Sequence, residues 1–316
     1  MRQLIAVILF LSVWQAACAQ NEPASQFITL GTNAGPLAEA NRSQPANALL
    51  VGDDLYLVDA GDGAAGQLAK AGLRLQNVDA LLLSHNHFDH TGGVLAILGL
   101  RMQLNVHETL FIYGPPGTKT LVDGLLEGMA PAMNAAYGMP GQSWAAHVEV
   151  TELVDGASFE LGSMTVTVAE NTHFKIPENS GAAEKAKSLS FRFDLPDRSI
   201  VYTGDTGPSE AVEELAQGAD LLVSEMMDID AVMARIKKVS PNLPDRQYKG
   251  IEWHLRAHHV LPSQVGEMAA NAGVKKVVVT HMAPNITNDE MAQRYIDEIS
   301  QAFDGDIVIA NDLDRF

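Results

Sequence analysis

The sequence predicts an α/β protein whose sheets are covered by helices, and three observations predict it. Short apolar, β-rich runs alternate with segments of helical pattern. The alternation begins near residue 27 and resumes through the second half of the chain to residue 310. The composition is 47% hydrophobic and 19% charged over 316 residues, which supplies a sizeable core and excludes a disordered or fibrous chain.

Runs at 27–30, 48–51 and 55–58 read as strands bounded by Gly, Asn or Asp, the residues that favour turns. A helix follows over 64–71, then a strand at 80–83 and a helical stretch beyond Thr91. In the second half the strands fall at 164–168, 189–193, 199–202, 221–224, 276–280 and 307–310, with helices over 209–217 and 263–272. No repeat of fixed period and no long Pro/Gly/Ser linker divides the chain. Residues 20–316 are therefore expected to form one domain of two closely packed halves. Two stretches break the rhythm: 114–147, rich in Met, Ala, Gly and Pro, and 238–257, which mixes Pro, charge and Trp253. Both are expected as insertions over the active site, where loops carry function. Met129, Met133, Tyr137, Met139 and Trp144 either line an apolar pocket there or pack a core.

Residues 1–19 read as a secretory signal: a positive Arg2, an apolar run over 4–14, and the small residues Ala16, Ala17 and Ala19 before a cleavage point. The run is short of the roughly 20 residues a membrane span needs, and no later segment is long enough. Cys18, the sole cysteine, invites comparison with a lipidated cysteine, but such sites usually carry Leu three residues earlier, where Gln15 stands. The expectation is a soluble periplasmic or secreted protein, without a disulfide or a thiolate metal cluster. Lys and Arg number 21 against 39 Asp and Glu, a net charge of −18. Such a chain repels phosphate backbones, so no nucleic acid is expected as a partner.

The sharpest signal is Ser84-His85-Asn86-His87-Phe88-Asp89-His90, directly after the strand at 80–83. Imidazole and carboxylate are first-choice donors for zinc. A turn leaving a strand can aim His85 and His87 one way and Asp89 and His90 another, a spacing suited to two metals. Further donors stand just past other strands: Asn171-Thr172-His173, Thr203-Gly204-Asp205 and Thr280-His281. Residues past the carboxyl ends of strands converge on one crevice in covered α/β sheets.

His85-Asn86-His87-Phe88-Asp89-His90 resembles the His-x-His-x-Asp-His signature of the metallo-β-lactamase superfamily, with His173, Asp205 and His281 at its remaining positions. The resemblance implies a four-layer αββα sandwich and a dinuclear site. In it His85, His87 and His173 hold one metal, Asp89, His90 and His281 the other, and Asp205 bridges them. Asp59 would orient the ligand turn. Two zinc ions are expected, although thiolate-free ligation also admits iron or manganese.

Asp205 at the bridging position, the Glu225 of Leu221-Leu222-Val223-Ser224-Glu225, and His258-His259-Val260-Leu261-Pro262 resemble the ribonuclease Z and arylsulfatase-like branch. That likeness makes Asp89, His259 and Glu225 the candidate catalytic residues, with Glu225 and His259 a proton-donating pair and His258 in reserve. The expected activity is hydrolysis of a sulfate, phosphate or carboxylic ester in a small, partly apolar molecule by a metal-bridging hydroxide. Lactonase, phosphodiesterase or weak β-lactamase activity on the same site, and a non-catalytic binding protein of the same fold, are the alternatives. A homodimer is among the assemblies such a chain admits.

Overall fold

The computed structural model describes residues 25–135, 147–176 and 186–316. Three strands open the chain as an antiparallel meander: β1 (Ser25–Gly31), β2 (Ala46–Val51) and β3 (Asp54–Ala60). Next, β4 (Val78–Leu82), β5 (Leu110–Gly114) and β6 (Val148–Glu152) add on in parallel. Each parallel step needs a crossover, and helices provide it: α1 (Ala64–Lys70), then α2 (Phe88–Thr91) with α3 (Val94–Gln103), then α4 (Thr118–Gly128) with α5 (Ala130–Asn134).

The second half repeats this plan. Strands β7 (Ser158–Leu161), β8 (Met164–Glu170), β9 (Leu189–Asp194) and β10 (Ser199–Tyr202) are antiparallel. They are followed in parallel by β11 (Leu221–Met227), β12 (Lys276–Ala283) and β13 (Asp306–Ile309). Their crossovers are α6 (Glu210–Leu215), the trio α7 (Ile229–Val239), α8 (Asp245–His258) and α9 (Pro262–Ala272), and α10 (Asp289–Ile299). A short β14 (Asp314–Arg315) returns to pair with β1 in the first sheet.

Alternation along the strands builds the layers, because side chains of successive residues face opposite sides. Leu49, Val51, Tyr56 and Val58 face the second sheet and meet Val166, Phe191 and Phe193, whereas Ala48, Leu55 and Leu57 face Leu68, Ile97 and Leu98 of the helices. In the second sheet Ile200, Tyr202 and Val223 face inward, while Val201, Leu222 and Val277 meet Val265, Met268, Tyr295 and Ile299. Three apolar interfaces thus separate four layers, an αββα sandwich. A fully buried Leu or Phe in such an interface contributes about 1.5–3 kcal/mol.

The helix layer outside the second sheet is tight at one point. A Cβ on Gly266 would stand 2.3 Å from the carbonyl oxygen of Ile299. Gly266→Ala is therefore expected to destabilise the fold by roughly 1–3 kcal/mol through overpacking, read as a lower urea midpoint at unchanged slope.

The two irregular stretches are mostly helical where described, with short turns at 115–117 and 240–244. In 114–135, Val122 and Met129 are buried in the outer layer with Met133 packed beside them, so for these methionines core packing is the reading that holds. Tyr137, Met139 and Trp144 lie outside the described residues, as do residues 1–19. In 238–257, α8 is a single helix of fourteen residues. Among the described residues, no helix is long and apolar enough to cross a membrane.

Candidate metal centre

The apolar strand β4 delivers the chain into the connection at 83–87 before α2 begins at Phe88. Asp59, at the end of neighbouring β3, pins that connection. Its carboxylate accepts hydrogen bonds from Ser84 N (2.7 Å), Ser84 Oγ (2.8 Å), His90 Nδ1 (2.8 Å) and the Tyr202 hydroxyl (2.7 Å). Asp59 is fully buried. It adopts φ +60°, and His281 adopts φ +42°. A non-glycine residue in the left-handed region costs of order 1 kcal/mol or more and persists only where its surroundings over-determine it.

The seven donors predicted from the sequence come together in two groups that share Asp205: His85, His87, His173 and Asp205, and Asp89, His90, Asp205 and His281. In the first, His87 Nδ1 lies 3.0 Å from His85 Nε2 and 3.2 Å from His173 Nε2. Asp205 Oδ2 stands 3.8 and 3.9 Å from the Nε2 atoms of His85 and His173. In the second, Asp205 Oδ1 is 3.2 Å from both His90 Nε2 and His281 Nε2, and Asp89 Oδ2 is 3.6 and 3.5 Å from the same two atoms. Each oxygen of Asp205 therefore addresses one group.

These donors fit cations better than they fit one another. His90 Nε2, Asp205 Oδ1 and His281 Nε2 are buried and close together, yet none has a hydrogen bond of acceptable geometry. Burial and the surrounding imidazoles hold His85 well below the usual histidine range, and burial pushes His173 down to about 3, so both rings are neutral and offer lone pairs. His173 Nδ1 donates to the His258 carbonyl (3.0 Å), which turns the bare Nε2 toward the centre. Burial opposes charge on His90, but Asp205 and Asp59 on either side outweigh it and hold its pKa well above the usual range. A cation on the Nε2 side can take the place of that proton.

A second constellation borders the first. Glu225, on β11, accepts from His259 Nδ1 at 2.9 and 3.1 Å and from Thr206 N at 2.6 Å. Burial disfavours the imidazolium of His259, but the Glu225 carboxylate outweighs it and raises the pKa to about 9. The adjacent His258 turns away, to the Lys175 carbonyl and His254. The geometry therefore selects His259 over His258 as the partner of Glu225.

The two constellations open into a cleft of about 530 Å³, lined among others by Gly35, His87, Phe88, His173, His254 and His259. Gly35 is there for close approach: its N donates to Asp89 Oδ2 at 3.0 Å, and a Cβ would fall 2.3 Å from that oxygen. Phe88 is 80% exposed at the mouth. Sequence reading missed Tyr202, which looks like an ordinary apolar strand residue until the opposing sheet brings Asp59 against its hydroxyl. It also missed His254, whose position on α8 has no motif. Removing a partner that orients a ligand typically costs 10–100-fold in metal affinity. Tyr202→Phe, which keeps the ring, is accordingly expected to weaken metal retention by roughly 10-fold in chelator competition, with folding preserved.

A family model described as "Beta-lactamase superfamily domain" matches residues 55–282. Among curated proteins, a ribonuclease Z of Mycobacterium sp. (strain KMS) is 29% identical over 299 residues, covering 91% of this chain and 94% of its own. The crystal structure of human tRNase Z, short form, superposes with a TM-score of 0.63 at 22% identity, covering 92% of this chain and 98% of that one. The metallo-β-lactamase fold protein YhfI from Bacillus subtilis superposes with a TM-score of 0.65 at 19% identity, covering 92% and 98%.

These relatives correct two expectations. A small-molecule substrate without nucleic acid does not stand against relatives named for ribonuclease activity along nine-tenths of the chain. Net charge does not decide a local interaction: −18 is a sum over the whole chain, whereas bound cations are often the largest charges in a site and invert its sign. The periplasmic or secreted location does not stand either. It rested on residues 1–19 alone, which lie outside the described residues, and it does not stand against relatives named ribonuclease Z along nine-tenths of the chain.

Proposed function

The chain belongs to the β-lactamase superfamily, and we propose that within it the protein is a metal-dependent phosphodiesterase whose substrate is RNA. The observation that carries this reading is the Glu225–His259 pair set beside the two donor groups. A ribose oxygen leaving phosphorus departs as a poorly stabilised alkoxide and needs a proton, and a histidine held by a carboxylate can deliver it. The names of the relatives point the same way.

We take the ions to be a pair of zincs: imidazole and carboxylate suit zinc, and seven donors exceed one tetrahedral site. His85, His87 and His173 would hold one, Asp89, His90 and His281 the other, and Asp205 both. When bound, such ions lower the pKa of water to about 7 and polarise phosphoryl oxygens. The protein's own contribution is orientation and proton delivery. Asp59, fixed by Ser84 and Tyr202, sets the ring of His90. Glu225, itself held by Thr206 N, engages His259 Nδ1 and leaves Nε2 to carry the proton into the cleft. The ring of Phe88, exposed at the mouth, offers a π-face on which a base of any identity can stack.

The test is cleavage of a tRNA precursor with a 3′ extension, and of an unstructured RNA, by zinc-loaded protein. Hydrolysis that a chelator stops and zinc restores is the expected result. Failure to cut either RNA under zinc, manganese or iron loading would overturn the reading.

A further inference from the structure

We infer that His254 accepts a hydrogen bond from a ribose 2′-hydroxyl beside the scissile phosphodiester, and so makes the site select RNA over DNA. The inference rests on the RNA-hydrolysing reading above and adds a specificity residue to it.

A chain of imidazoles leads from the Lys175 carbonyl to His254. His258 Nε2 lies 3.1 Å from the carbonyl oxygen of Lys175. A carbonyl can only accept, so the proton of His258 sits on Nε2 and its Nδ1 is a bare lone pair. That Nδ1 lies 2.9 Å from Nδ1 of His254, one helical turn away on α8. For the two nitrogens to bond, His254 must carry its proton on Nδ1. Its Nε2 is then a lone pair, with no hydrogen-bond partner among the described residues, on a residue that lines the cleft. Partial burial and the neighbouring imidazoles push the pKa of His254 down to about 4, which keeps the ring neutral near pH 7.

A neutral acceptor in a phosphodiester cleft is an unusual choice, because phosphate oxygens offer it nothing. It requires a donor on the substrate. The hydroxyl donor nearest every internucleotide phosphate of RNA is the ribose 2′-OH, the group by which proteins tell RNA from DNA. The relay is also anchored to the centre. The backbone carbonyl of His258 holds His173 Nδ1, and Lys175, which receives the His258 side chain, lies two residues past His173. The acceptor is thereby kept in register with the donor groups.

The experiment uses zinc-loaded full chain and RNA oligonucleotides in which single nucleotides flanking the cleavage point carry 2′-fluoro or 2′-deoxy in place of 2′-OH. Binding is read by fluorescence anisotropy, hydrolysis by kcat/KM, and metal by elemental analysis. Wild type is expected to prefer 2′-OH over 2′-fluoro, which cannot donate, by roughly 3- to 10-fold at one position, the worth of one neutral hydrogen bond. His254→Ala should bring that ratio near 1 with metal content unchanged. His258→Phe, which frees the tautomer of His254, should reduce it. An RNA that is cut with no preference at any position, or a preference that survives His254→Ala, would overturn the inference alone. Loss of metal in His254→Ala would also overturn it, by making the pair a cation site. An RNA neither bound nor cut would remove the RNA reading and this inference together.

Discussion

Replacing Asp205 by alanine is expected to lower RNA hydrolysis by about 10³-fold or more and to loosen metal at both groups. Its two oxygens divide between the groups: Oδ1 stands 3.2 Å from His90 and His281, Oδ2 3.8 Å from His85. The other six donors each belong to one group. Alanine therefore removes the one anion that would face both cations, leaving the first group with imidazoles alone and the second with Asp89 as its carboxylate. Electrostatic stabilisation at a metal site is worth several kcal/mol, and each 1.36 kcal/mol is tenfold in rate. The control is His107→Ala, an exposed histidine between α3 and β5, which should leave rate and metal unchanged. Near-normal turnover and metal content in the Asp205 variant would refute the bridging assignment. Kinetics and elemental analysis on one preparation decide it.

His259→Ala is expected to lose activity in proportion to how badly the leaving group needs a proton. General acid catalysis contributes typically 10²–10⁴-fold. An RNA phosphodiester, whose ribose oxygen leaves as an alkoxide, should lose most of that factor. A bis(p-nitrophenyl) phosphate, whose phenolate is a stable anion, should lose little. Metal content should not change, because His259 faces Glu225 and belongs to neither donor group. Equal loss on both substrates would give His259 a substrate-orienting role instead. Glu225→Gln should follow the same selective pattern more weakly, since the amide keeps a partner for Nδ1 but not the carboxylate charge that raises the pKa of His259 to about 9.

Much of this was legible in the sequence because strands buried on both faces are written as continuous apolar runs. Residues 80–83 and 221–224 are of that kind, and donors placed immediately after such runs fall at one edge of the sheets. Edge strands leave a weaker trace. β6 (Val-Glu-Val-Thr-Glu) and β7 (Ser-Phe-Glu-Leu) are half-exposed and pair at sheet margins, so no apolar run betrays them. The helix α8 was hidden for a related reason. Of its fourteen residues only His258 is buried, and Pro244 with its charged neighbours resembles a loop. Helix α10 carries Met291, Tyr295 and Ile299 at helical spacing and was readable, but no motif drew attention to it. What no sequence pattern could supply is contact between the sheets. The Tyr202–Asp59 bond spans 143 residues, and the relay from Lys175 through His258 to His254 joins β8's exit loop to α8. Net charge misled for the opposite reason, since it is fully legible and says nothing about one cleft.

The most direct test of the account is the metal content of the protein after zinc loading and exhaustive dialysis, measured by elemental analysis against protein concentration. Two donor groups joined through Asp205 predict two zinc ions per chain. A protein that hydrolyses RNA at full rate while retaining one ion or fewer would contradict it.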